Sequence, residues 1–266
     1  MWEGLLKAAG LRLQIQKRDR LEASGQHRAT RLRVIGERAE GLWTWQLTAH
    51  NKHIPAELTL LPGSGPSWLL QILGVTDPTL GDPVLDDIAQ VSGPPDRLLA
   101  VLDHNTRIEA RTLVERGGSV RDRAVRLQTT SQDSRPDWLP ERTRELSRLA
   151  GHLSVHPKRV SQGLIRAVDH DPLAGIRAEA FRILLRDHPQ RVPDRLLTEE
   201  RLTPLLDELS HEALVRALDA LGRSGSANSL PLIAPFIHFP RGNNATRKAA
   251  RRAARALETR AAPEGE

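Results

Sequence analysis

The sequence predicts an α+β front half followed by an all-α array of stacked helical pairs. Three observations carry that expectation. Between residues 11 and 61 apolar and polar residues alternate, the period of a sheet with one wet face. From Pro94 the apolar spacing turns helical, and beyond Trp138 it is helical throughout. Three segments of the back half repeat at near-constant intervals, which marks a structure built by stacking.

The strands come first. In LRLQIQ, Leu11, Leu13 and Ile15 alternate with Arg12, Gln14 and Gln16, and TRLRVIG sets Leu32 and Val34 opposite Arg31 and Arg33. GLWTWQLTAH puts Trp43, Trp45, Leu47 and Ala49 on one face, and AELTLLP supplies a further short strand. Short polar turns between sequential strands favour an antiparallel meander. After a turn-rich interruption from Pro62 to Pro66, GDPVLDDIAQVSG reads as a turn leading into a strand. Leu98, Leu99, Val101, Leu102, Ile108 and Leu113 predict one or two helices with Asp103 and Asn105 as candidate caps, and SVRDRAVRLQTT predicts a hairpin. The polar stretch TSQDSRPD, residues 130–137, is the expected boundary between a domain at 1–131 and a helical array at 138–260. Residues 261–266 read as a disordered tail.

In the back half, Leu139, Leu146, Leu149, Ala150 and Leu153 share one helical face, and Val160, Leu164, Ile165 and Val168 share the next. DPLAGIRAEAFRILLRDHP, SHEALVRALDALGRSG and NATRKAARRAARALET then superpose. One column holds Ile176, Ala213 and Ala249, a second Ala180, Ala217 and Ala253, and a third Leu184, Leu221 and Leu257, with spacings of 37 (213 less 176) and 36 (249 less 213). A small residue allows close approach, and the leucine four positions on fills the next layer. Apolar stretches between them, RLTPLLDELS and SLPLIAPFIHF, complete pairs of short helices that cannot bury their stripes alone.

These features resemble HEAT repeats of the short bacterial kind over about residues 154–260: the two-helix period, DPLAGIR with its Asp-Pro before Ile-Arg, and ALDALGRSGSANSLPLI. The resemblance implies an α-solenoid that serves as a protein-interaction surface, with the alanine-rich last unit as a cap. The front half is similar to uncharacterised domains that precede such repeats in bacterial proteins. Neither likeness implies a catalytic residue. HEAT-like repeats also occur in DNA glycosylases that remove alkylated bases and in bilin lyases. The helical half here offers Trp138, Phe181, Phe236 and Phe239, several at packing positions, which would serve stacking on a damaged base poorly.

Composition bounds the chemistry. Hydrophobic residues make up 39% and charged ones 27%, enough apolar content for folded cores. The absence of cysteine removes disulfides, thiolate nucleophiles and cysteine-based metal sites. No basic leader precedes a long apolar run and no stretch nears about 18 consecutive apolar residues, so a soluble, cytoplasmic protein without membrane contact is expected. The histidine pairs His50/His53 and His152/His156 lack a third ligand, so the sequence predicts neither a metal nor another cofactor. Asp82, Asp86 and Asp87 form an acidic cluster that reads first as turn chemistry, with paired carboxylates of a front-domain enzyme as the alternative. GSGPSW lacks the lysine and following helix of a phosphate loop.

Net charge is +6, and residues 243–260 alone hold six cations against the single acid Glu258. Arg247, Lys248, Arg251, Arg252 and Arg255 line the polar sides of one helix, the candidate anion-binding residues. Two readings stay open for them: a solvated cap on the stack, or a contact for nucleic acid or another polyanion. The function expected of the whole chain is a non-enzymatic adaptor that binds another protein through the helical array.

Overall fold

The computed structural model describes residues 2–63, 82–238 and 244–261. A short helix α1 (Trp2–Ala8) leads into strands β1 (Leu11–Gln16), β2 (Arg20–His27), β3 (Thr30–Ala39), β4 (Leu42–Asn51) and β5 (Thr59–Pro62). Helix α2 (Pro83–Ile88), strand β6 (Ala89–Ser92), helices α3 (Pro95–Val101) and α4 (His104–Glu115), and the hairpin β7 (Ser119–Arg121) and β8 (Ala124–Ser131) follow. Every strand pair is antiparallel, and the spatial order is β1-β2-β3-β4-β8-β7-β5-β6. Thus the front of the chain is an antiparallel sheet with helices, as its alternation predicts.

One face of the sheet is the core. Trp43, Trp45, Leu47 and Ala49 on β4 are buried together with Leu32 and Val34 on β3. The rings of Trp43 and Trp45 stack at 5.4 Å, and Trp138 meets Trp45 edge-on at 6.4 Å. Gly36 lies opposite Trp45 in the β3–β4 register, and a Cβ there would fall 2.5 Å from the indole ring. The missing side chain is therefore the floor on which the indole rests. On the wet face Arg33 reaches Glu22 at 2.7 Å and Arg20 reaches Glu37 at 3.1 Å.

Two local readings of the front half differ from the structure. β1 is an edge strand with a bulge between Leu13 and Ile15, so only Leu11 reaches the core while Leu13 and Ile15 stay exposed. RLEASGQH, whose pattern is broken by Ser24 and Gly25, is nonetheless a full strand because neighbours on both sides satisfy its backbone. The stretch read as a turn before a strand contains helix α2, capped by Asp82 accepting from Val84 N and Leu85 N at 3.2 Å. Residues 64–81, which include most of GSGPSW, lie outside the described residues.

The rest of the chain is helical: α5 (Leu139–His152), α6 (Val160–His170), α7 (Ala174–Asp187), α8 (Glu199–Leu202), α9 (His211–Ser224), α10 (Leu230–His238) and α11 (Asn244–Ala261). Thr203–Glu208, read as part of an α-helix, is a 3-10 turn with Pro204 at its start. The residues form two compact units, Met1–Ile176 and Arg177–Glu266. That division lies later than the polar stretch 130–137, because α5 packs on β3, β4 and β8, and α6 packs on α3. Gly163 permits the second contact: a Cβ there would sit 2.5 Å from the carbonyl oxygen of Ala100. The expected tail 261–266 lies outside the described residues, save for the backbone of Ala261.

In the second unit the superposed columns are all interior. Ala180, Leu184, Ala213, Ala217, Leu221, Ala249, Ala253 and Leu257 are each no more than 2% exposed. α9 packs on α11, and at their crossing a Cβ on Gly222 would come within 2.8 Å of the Ala253 Cα. The small residues Gly222 and Ala253 thus let α9 and α11 approach closely.

Candidate functional site

The polar side of α9 follows from its apolar side. With Ala213, Leu214, Ala217, Leu218 and Leu221 turned inward, His211, Glu212, Val215, Arg216, Asp219 and Arg223 fall at three- and four-residue steps on the opposite flank. They floor a groove of about 640 Å³, walled by Gln190 and Asp194 on one side and Ala245 on the other. Ser210 caps the helix, its Oγ accepting from Ala213 N at 3.4 Å.

The groove carries both charges, and its side chains brace one another. Arg216 donates to the Val192 carbonyl and, at 3.3 Å, to Gln190 Oε1, and its guanidinium lies 3.7 Å from Asp194. Arg223 reaches Asp194 at 3.3 Å, and Gln190 donates to Glu212 at 2.8 Å. Asp219 and Arg252 of α11 pair at 2.8 Å, joining the groove to the basic helix. Sequence reasoning missed these residues because it followed the buried columns. The polar stripe at 211/212, 215/216, 219 and 223 was nevertheless legible in the same helical period.

The five cations expected to bind anions divide by role. Arg252 is engaged with Asp219, and Arg247 donates to Asn244 Oδ1 at 2.9 Å. Lys248, Arg251 and Arg255 are exposed, follow at steps of three and four on one face, and have no acidic partner among the described residues. Arg260 is spent otherwise, donating to the Gly222 and Gly225 carbonyls at the end of α9.

Of the acidic cluster, Asp82 enters a structural clamp, while Asp86 and Asp87 lie within helix α2. Arg107, 2% exposed, donates through Nε to Asp82 at 2.6 Å and through Nη1 and Nη2 to Asp171 at 2.7 and 3.1 Å. Its Nη1 also donates to the Leu102 carbonyl at 2.9 Å. Burial opposes the charge, but the bonds and charges of Asp171 and Asp82 outweigh it, so the guanidinium is held protonated even more firmly than usual. Asp82 caps α2, and Asp171 Oδ1 accepts from Leu173 N at 3.0 Å. Two Asp-Pro helix starts are therefore tied to one cation, leaving neither carboxylate placed as an acid-base pair.

The histidines regroup as well. His50 sits on β4, while His53 faces His156 with ring centroids 6.0 Å apart. His152 instead meets Glu109 at 2.9 Å. Among the described residues no three His, Asp or Glu side chains gather as a metal site. Phe181 and Phe236 are buried, and Phe239 lies outside the described residues.

Among the described residues no helix is long and apolar enough to cross a membrane. No protein-family model matches the chain, and neither a curated protein nor a solved structure matches it.

Proposed function

We propose that the chain is a non-enzymatic adaptor whose second unit, a short HEAT-like stack, docks a protein segment of mixed charge in the groove on α9. The observation that carries this reading is the groove itself: acids and bases interleaved on one helix flank, above a core whose small-residue columns hold the helices close. A partner offering complementary charges would gain orientation and association rate from that pattern, with affinity supplied by its packing. The wall side chains are already bridged to one another, so little ordering cost falls on binding. Replacing Val215 with a photocrosslinking amino acid inside the groove should trap a protein upon irradiation. Adding Glu212→Lys and Asp219→Lys should abolish the adduct. Trapping of nucleic acid alone, or an adduct indifferent to both reversals, would contradict the reading.

A second reading is supported by the cations on α11. Lys248, Arg251 and Arg255 form a row without acidic partners among the described residues, as contact with a phosphate backbone requires. No aromatic side chain interrupts the row, so bases would find no stacking platform beside it.

A further inference from the structure

The first unit contains a second cationic surface, unrelated to the groove or to α11. The turn after β4 carries His53, fixed by Asn51 Oδ1 accepting from His53 N and by Val155 N donating to the His53 carbonyl, both at 3.0 Å. Across from it the chain enters α6 through the 3-10 turn Pro157–Arg159, where His156 Nδ1 accepts from Lys158 N at 3.3 Å. Arg159, the last residue of that turn, is followed by Gln162 and Arg166 on α6 at three- and four-residue steps. Together these side chains line an open cleft of about 860 Å³ with no carboxylate among its lining residues. Arg159 and Arg166 are exposed and have no acidic partner among the described residues.

Such convergence is electrostatically unfavourable in isolation. Like charges gathered on one wall repel and raise the potential of the cleft, which is the condition for concentrating an anion there. The wall is carried by α6, an 11-residue helix that continues from the 3-10 turn, with Val160 N donating to the Pro157 carbonyl. Its backbone is set by close packing of Gly163 on Ala100, so the cations stand on a rigid base.

The geometry points to a binding site for a compact soluble oligophosphate, a chain of linked phosphate groups, between His53, His156, Lys158, Arg159 and Arg166. Arg159, in the turn, and Arg166, on α6, are seven positions apart, about 10 Å of backbone rise, so their side chains reach the cleft from separate turns. A chain of phosphates meets both. The volume falls within the roughly 300–1,000 Å³ of small-ligand sites. No Phe, Trp or Tyr side chain lines the wall, so its charged groups, rather than a broad stacking face, set phosphate as the recognised chemistry.

Calorimetric titration of the full chain with sodium tripolyphosphate, sodium orthophosphate and a single-stranded oligonucleotide tests the site. Tripolyphosphate should bind one to one, at least tenfold more tightly than orthophosphate. R159A/R166A should weaken it by tenfold or more, and R166Q alone by a smaller factor. Both positions are solvent-exposed, and an unchanged thermal transition would show the variants folded. R33Q, which removes an exposed cation on the wet face of the sheet, should leave tripolyphosphate binding intact. Absence of binding would overturn the proposal, as would binding that persists undiminished in R159A/R166A. Equal loss of tighter oligonucleotide binding in the cleft variants would also overturn it, in favour of a nucleic-acid surface. None of these outcomes depends on the groove of the second unit.

Discussion

Arg107 shows how one side chain can decide the stability of an interior. Its guanidinium meets Asp82 and Asp171 inside the first unit, and Asp171 is 1% exposed at its side chain. Replacing the pair with apolar residues could be neutral, but removing only the cation leaves buried carboxylate charge without its main compensation, a cost of about 3–5 kcal/mol. R107M should therefore lower the urea midpoint strongly, whereas R33M, which breaks the exposed Arg33–Glu22 pair, should cost about 0–1 kcal/mol. All five tryptophans precede residue 139, so tryptophan fluorescence reports the unfolding of this unit. Equal midpoints for the two variants would show that the clamp is not load-supporting. Asp82 was legible in sequence as a turn former beside a proline. Its tie to Arg107 was not, since local pattern carries no information about which distant carboxylates share a cation.

Elements were legible where one face is buried and the other is wet. β3, β4, α5, α6 and α9 all follow their apolar periods, with Trp43, Trp45, Leu146, Leu164 and Leu218 facing inward. β1 departs from its alternation because an edge strand has one neighbour and its bulge changes the register. β2 lacked a readable period, its core side resting on Leu21 and Ala23. In α11, the row of Lys248, Arg251 and Arg255 was visible as charge, but the pairing of Arg252 with Asp219 needed the α9–α11 packing. If this row contacts phosphates, K248E, R251E and R255E should each flatten the log-affinity against log-salt slope for duplex DNA by about 0.9. R252E should change it less, because its guanidinium is engaged with Asp219. Slopes that do not distinguish the four variants would remove α11 as an interface.

The whole molecule combines a sheet unit that contains a buried clamp with a helical unit in which Gly222 and Ala253 bring α9 and α11 close. In the second unit the buried columns and the polar flank of α9 occupy opposite sides of one helix, and the flank side chains pair with Gln190, Asp194 and Arg252. The repeat of 37 and 36 residues announced those columns; the groove depends additionally on where Gln190, Asp194 and Ala245 come to lie. The cleft beside His53 depends on a fold contact between the β4 turn and the entry to α6, and no spacing within the chain foretells it. The measurement that bears most directly on the adaptor account is quantitative affinity purification of three forms: wild type, E212K/D219K and K248E/R251E. The account predicts a defined protein retained by wild type and by the α11 variant, at unchanged yield after nuclease treatment, and lost from the groove variant. A partner lost from the α11 variant but kept by the groove variant, or released by nuclease, would contradict it.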